Sequence, residues 1–222
     1  MIEIKSRQLN NYLTYKLDKL EEQYTIEELN QVDELVIDND ENLDISILKY
    51  FTNLKTLEIR NIEVNEDILD IILSLKNLTN LKFQLCEIEN VSKIKDLNLT
   101  SLHLDCSKIE NYEFIYELTN LEELTLTSVK IDINKLNNLT NLKYLNISHS
   151  ICTNDVLNIE KIEKLYIDNS NIKDIEFTKK LINLKELSLS KEQYENKEEL
   201  INELKQRNIE ILDYSIMLLG EA

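Results

Sequence analysis

One phrase recurs along the chain and limits what it can become. It reads "LTNLEELTLTS" from 118 and "LTNLKYLNISH" from 139, with copies as "FTNLKTLEIRN" at 51, "LTNLKFQLCEI" at 78 and "LTSLHLDCSKI" at 99. It continues as "IEKIEKLYIDN" at 159 and "LINLKELSLSK" at 181, with weaker copies "LNQVDELVIDN" before and "LKQRNIEILDY" after. The apolar-x-apolar centres read as Leu35/Ile37, Leu57/Ile59, Phe83/Leu85, Leu102/Leu104, Leu124/Leu126, Leu145/Ile147, Leu165/Ile167, Leu187/Leu189 and Ile209/Ile211. They recur at about 20–22 residues, with one longer step of about 26 between the second and third. Period-2 alternation makes each centre a short strand with its aliphatics on one side. One such strand cannot stand alone. Burying a large apolar side chain contributes roughly 1.5–3 kcal/mol, whereas ordering each residue costs roughly 1.5 kcal/mol. Stacked at about 4.8 Å per step, the copies share one aliphatic core.

With these residues in view, the sequence resembles a leucine-rich-repeat protein, and "LTNLxxLxL" at this period is most similar to the internalin type. The resemblance implies an α/β fold: a right-handed solenoid with a concave parallel β-sheet and helical caps. The expected organisation is a helical cap over 1–31, repeats over 32–191, and a C-terminal cap with the last strand over 192–222. Family repeats usually carry Asn three residues after the second strand leucine. Here those positions read Asp40, Ile62, Ile88, Ser107, Val129, Ser150, Ser170 and Glu192, which predicts local irregularity in the stacking. The internalin-like proline after the strand is missing as well, so surface export and host-receptor binding are not carried over.

Between strands, the longest return, "NEDILDIILSLKNL", has helical spacing of its apolar residues, as does "ENKEELINELKQR" near the end. Residues 6–22 place Leu9, Leu13, Leu17 and Leu20 on one helical face, and Thr25 with Glu28 forms a capping-box pattern. The tail "YSIMLLGEA" is apolar for a terminus. Ile216, Met217, Leu218 and Leu219 are expected to close the core or to meet a second chain.

The chain of 222 residues holds one Gly and no Pro. Phosphate-cradling and dinucleotide-binding loops need several glycines, so both are excluded. Tight turns then fall to Asn and Asp, the non-glycine residues that best tolerate left-handed geometry. A net charge of −17 disfavours nucleic acid and anionic membranes and permits a basic protein partner. No stretch approaches a membrane span and no signal-peptide pattern follows Met1, so a cytoplasmic protein is expected. Three cysteines without tight spacing (Cys86, Cys106, Cys152) fit free thiols.

Chemistry has few candidates. His103 with Cys86 and Cys106 lacks the spacing of a zinc site. Ser148 and His149 with Asp155 or Asp168 lack a nucleophile elbow, and they fall on repeat-template positions. No catalysis, cofactor or metal is expected. What remains is the outward face of the strands, an extended recognition platform. Its middle column reads Val36, Glu58, Gln84, His103, Thr125, Asn146, Tyr166, Ser188 and Glu210. Tyr144 and Tyr166 fall on adjacent turns and should lie side by side, and tyrosine is enriched at binding hot spots. Glu58, His103, Asp105, Tyr144, Asn146, Tyr166 and Asp168 are therefore the candidate contact residues for a protein partner. The expected function is a non-enzymatic scaffold binding through the concave face, in its sharpest form an intracellular inhibitor or immunity protein for a basic partner. The alternatives are a self-assembling structural protein using the apolar tail, or a small-ligand or metal binder. A monomer is expected, with a homodimer as the alternative.

Overall fold

The structure is a computed structural model that describes residues 1–19, 23–39, 42–105, 108–109, 111–153 and 157–213. The chain divides into two compact units, Met1–Ile115 and Tyr116–Ala222. In the first unit, strands β1 (Glu34–Asp38), β2 (Thr56–Arg60), β3 (Asn80–Gln84) and β4 (Ser101–Asp105) pair in parallel and in chain order. In the second, β5 (Glu123–Leu126), β6 (Tyr144–Asn146), β7 (Lys164–Tyr166), β8 (Glu186–Leu189) and β9 (Glu210–Asp213) do the same. Leucine sits opposite leucine. Leu35, Leu57, Leu81 and Leu102 form one inward row, and Leu124, Leu145, Leu165 and Leu187 form its counterpart in the second unit.

The same hydrogen bonds recur along each unit. The carbonyl just before a strand accepts two successive N–H groups from the next turn. Lys55 O takes Thr79 N at 3.0 Å and Asn80 N at 2.9 Å; Lys143 O takes Glu163 N at 2.8 Å and Lys164 N at 3.0 Å. The "LTNL" phrase upstream is a tight turn closed by its two apolar ends, as in Leu142 N to Leu139 O at 3.0 Å. Its asparagine reaches back one turn, and in the third repeat the equivalent phrase is "LKNL" at 75–78, closed by Leu78 N to Leu75 O at 3.0 Å. Nδ2 of Asn53, Asn77, Asn141 and Asn183 donates to the carbonyls of Asn30, Thr52, Thr119 and Glu160 at 2.9–3.1 Å. The phrase therefore couples neighbouring turns through backbone and side chain together.

Two strand assignments need correction. The third repeat uses Leu81/Phe83, because Phe83 pairs with Ile59 and Leu104, whereas Leu85 is 57% exposed. Leu81, Phe83 and Leu85 alternate, and a two-residue slip leaves every side chain on its own face, so periodicity cannot choose between them. In the last repeat Ile211 lies opposite Leu187 and Asp213 opposite Leu189, so the pair Ile209/Ile211 shifts by two as well. Ile209 is buried as the residue entering the strand.

The turn that leaves five of the strands is left-handed. Asn61, Leu85, Ser128, His149 and Asn169 have φ of 54°, 54°, 60°, 59° and 55°. The N–H groups of Asn61, Leu85 and His149 each bond the next turn's carbonyl at 3.0 Å, and Ser128 does so at 3.3 Å. Asparagine supplies some of these positions as expected, but Leu85, Ser128 and His149 adopt the same geometry because the inter-turn bond demands it.

The residue following this turn occupies the inward polar position that family repeats give to asparagine. Here the corrected register puts Cys86 there in place of Ile88, with Sγ 3.3 Å from Ile59 O. Ser150 Oγ donates to Leu126 O at 3.0 Å and accepts from Val129 N at 3.2 Å. Beyond β8, the buried Gln193 side chain, one residue past Glu192, donates to Ile167 O and Ile172 O at 2.9 and 3.0 Å. It also accepts from Ser190 N at 2.8 Å. Short polar side chains of different types thus satisfy turn carbonyls that would otherwise be buried without partners. Asp40 and Ser107 lie outside the described residues.

Helices fill the longer returns. Helix α1 (Arg7–Leu17) starts at Ser6, whose side chain accepts from Leu9 N, and buries Leu9 and Leu13. Its Tyr12 hydroxyl donates to Glu34 O of β1 at 2.5 Å. It ends at left-handed Asp18, short of Leu20, which lies outside the described residues. The Thr25–Glu28 capping box starts α2 (Ile26–Leu29). Asn65 caps α3 (Glu66–Ser74), the predicted long-return helix, which buries Leu69 and Ile72. Other returns are 3-10 turns, as at Ile45–Tyr50 and Val91–Asp96. Asp132 caps α4 (Ile133–Leu136), Ser190 caps α5 (Lys191–Tyr194), and α6 (Glu198–Gln206) occupies the second predicted helical stretch. The apolar tail, including Ile216, Met217, Leu218 and Leu219, lies outside the described residues.

Two substitutions test this account by urea denaturation. Leu85→Asn should stabilise by about 1 kcal/mol, because a left-handed leucine is disfavoured by roughly 1–2 kcal/mol. Gln193→Ala should destabilise by about 2–3 kcal/mol, leaving buried carbonyl and N–H groups unsatisfied.

Candidate functional site

Alternation turns the residues between the inward leucines outward. In the first unit the outward positions form cross-strand rows: Glu58 lies opposite Lys82, which lies opposite His103, while Arg60, Gln84 and Asp105 follow one another. Lys82 therefore takes the middle-column place that the sequence reading gave to Gln84. Glu58 Oε1 receives Arg60 Nε at 2.6 Å and Lys82 Nζ at 3.2 Å. Burial pushes the Glu58 carboxyl up, but hydrogen bonds from Arg60 and Lys82 outweigh it and hold the group below its usual range. His103 is half-buried. Burial and the Lys82 charge lower its pKa, against the pull of Asp105 and Glu58. Gln84 Nε2 reaches Asp105 Oδ2 at 3.5 Å.

Cys86 lies inside the turn and not in the outward column beside His103, so the two do not converge. Cys106 lies outside the described residues. Among the described residues no group of three or more His, Cys, Asp or Glu is arranged to hold a metal ion.

The second unit carries Tyr144, Asn146, Tyr166 and Asp168. Tyr144 and Tyr166, on adjacent strands, meet edge to face, with ring centroids 5.3 Å apart and planes at 73°. Such pairs contribute about 0.5–1.5 kcal/mol beyond the area they bury. The Tyr166 hydroxyl donates to Glu186 Oε1, and Lys164 Nζ donates to Glu186 Oε2 at 2.9 Å. These two hydrogen bonds hold the Glu186 carboxyl below its usual range, against its burial. Burial raises the Tyr144 phenol, with hydrogen bonds to Asn146 and Thr125 opposing. Asn146 Oδ1 accepts from Ser148 N at 3.0 Å, just where β6 stops.

Beside the tyrosines, an open groove of about 400 Å³ is lined by Glu122, Glu123, Lys143, Tyr144, Glu163 and Lys164. Charges alternate along its rim, with Lys143 Nζ on Glu122 at 2.7 Å and Lys185 Nζ on Glu163 at 2.6 Å. Asp168 is 6% exposed, and its Oδ1 accepts from Ser148 Oγ at 2.8 Å and Ser188 Oγ at 2.6 Å. Ser148 thus donates to a carboxylate, while exposed His149 occupies the left-handed turn. Asp155 lies outside the described residues.

The middle column included Ser188, and Glu186 stands two residues before it, but nothing in the alternation showed that they clasp the candidate residues across strands. Their signal was their outward place. Their role depends on side-chain length and direction.

The chain's fold is that of leucine-rich-repeat proteins, a class whose stacked turns present an extended surface. Its fold is internalin-like. Internalin C2 of Listeria monocytogenes is 25% identical with a TM-score of 0.66, over 84% of each chain. Internalin F of the same organism is 19% identical with a TM-score of 0.55, over 94% of this chain and 91% of that one. A leucine-rich-repeat protein of Leptospira interrogans is 22% identical with a TM-score of 0.61, over 84% of this chain and half of that one. No family model and no curated protein matches the sequence, so the likeness rests on the structures. Among the described residues no helix is long and apolar enough to cross a membrane.

The Tyr166–Glu186 bond should show in acid. A carboxyl whose folded pKa is depressed contributes stability above its unfolded pKa and loses it as pH falls through the folded value. Tyr166→Phe should therefore cost about 1 kcal/mol at pH 7. The gap from the parent should narrow as the pH falls from the ordinary glutamate range to about pH 3 and Glu186 takes up its proton. Urea midpoints at the two pH values measure it, and an equal gap at both would separate the bond from Glu186 ionisation.

Proposed function

We propose that the chain is a non-enzymatic scaffold that binds a protein partner through the outward faces of its parallel strands. The observation that carries this is the tyrosine pair: two large amphipathic rings, edge to face on neighbouring strands and braced by Glu186. Rings held in this way lose little further freedom on binding, which is what suits tyrosine to contact surfaces. Asn146 adds a polar group beside them, opposite Thr125 on one side and Tyr166 on the other. In the first unit Glu58, His103 and Asp105 supply a mixed polar surface of the same kind.

The partner we favour is basic. The net charge of −17 attracts cations at long range and raises the rate of encounter. An inhibitor or immunity-type protein that holds a basic protein fits this charge and this face. Asp168 is largely enclosed, so Tyr144, Asn146 and Tyr166 form the broad contact in the second unit.

Affinity capture on immobilised protein, read by mass spectrometry, tests the reading. The parent should retain a basic protein, less of it as sodium chloride rises, and Tyr144→Ala with Tyr166→Ala should release it. A captured partner indifferent to both tyrosines would reject recognition through this face.

A further inference from the structure

Asp168 is a buried carboxylate with no cationic partner at ion-pair distance among the described residues. It is 6% exposed, and its partners are all neutral: Ser148 Oγ at 2.8 Å and Ser188 Oγ at 2.6 Å on Oδ1, and Asn169 Nδ2 at 3.3 Å on Oδ2. Among the described residues no lysine, arginine or histidine forms an ion pair with it. The remaining residues, 20–22, 40–41, 106–107, 110, 154–156 and 214–222, contain no basic side chain. Enclosing a carboxylate without a counter-charge is unfavourable even when hydroxyls solvate it, and buried charges are ordinarily paired.

Three other outward acids of the second unit behave differently. Glu122, Glu163 and Glu186 each hold a lysine within 2.9 Å. Asp168 alone of these four combines enclosure with an unbalanced charge. The two hydroxyls saturate Oδ1, whereas Oδ2 has only the long contact from Asn169. A carboxylate offers about four acceptor positions, so Oδ2 keeps unused acceptor capacity. Tyr166 stands two residues earlier, at the end of β7, where an aromatic side chain can flank an incoming cation.

The geometry points to Asp168 as the anchor for a cationic side chain, arginine or lysine, of the partner protein. This rests on the scaffold reading above and specifies the chemistry of the recognised residue. Ser148 and Ser188 are positioning residues: they fix the carboxylate before the partner arrives, so little ordering remains to oppose binding.

The test titrates nitrogen-15-labelled full-length protein with N-acetyl-arginine methylamide and, in parallel, with its neutral isostere N-acetyl-citrulline methylamide. The arginine probe should shift the amides of Ser148, Asp168 and Ser188, and the citrulline probe should not. Asp168→Asn keeps an acceptor for the hydroxyls and removes the charge. It should weaken the arginine response by at least about tenfold, with a thermal midpoint equal to or above the parent's. Equal shifts with citrulline, no shifts with either probe, or an undiminished response in Asp168→Asn would overturn the assignment. So would the same shifts produced by calcium chloride, which would make the site one for a metal ion. The probe is a small molecule, so its failure leaves the tyrosine capture experiment standing, and an empty capture leaves the titration readable.

Discussion

Six steps of the stack depend on a carbonyl that accepts two N–H groups from the turn that follows. Asp33, Lys55, Thr79, Glu122, Lys143 and Glu163 all supply one, with bonds of 2.7–3.1 Å. Because the acceptor lies just before a strand, the bond sets the register of the next strand as it sets its distance. Leucine then meets leucine inside, and each inward pair from Leu35/Ile37 to Leu187/Leu189, with Leu81/Phe83 as the third, is at most 2% exposed. Neither half stands without the other. Packing requires the register, and the backbone bonds are worth making because packing removes water from around them.

That coupling explains the tolerance of the inward polar position. A turn carbonyl needs a donor of suitable reach, and Cys86, Ser150 and Gln193 each provide one by different means. It also explains why leucine, serine and histidine accept left-handed backbone at 85, 128 and 149. An inter-turn hydrogen bond at each of these positions offsets a local cost of roughly 1–2 kcal/mol.

The outward face is under no such restriction, and there the repeats differ most. One strand carries tyrosine where its neighbours carry lysine or glutamate, and the tyrosines, Glu186 and the Ser148–Asp168–Ser188 clasp arise only from particular neighbours meeting. A scaffold of this kind separates two tasks by alternation alone. Inward residues keep the turns stacked, and outward residues are free to acquire chemistry suited to a partner.

Much of this was legible in the residues. The recurring aliphatic pairs determined the repeat, the strands, the inward rows and the adjacency of Tyr144 and Tyr166, because a period of two on a stacked strand leaves little choice. The two-residue ambiguities at Leu81/Phe83/Leu85 and Ile209/Ile211 were not resolvable, since both registers bury the same face and only inter-turn bonds distinguish them. Nor did the recurring asparagine of "LTNL" disclose that it reaches back to the previous turn. Asp168 was visible as an outward acid. Its enclosure by two serines and its lack of a counter-charge came from side chains about twenty residues apart, which only the tertiary structure brings within hydrogen-bond distance.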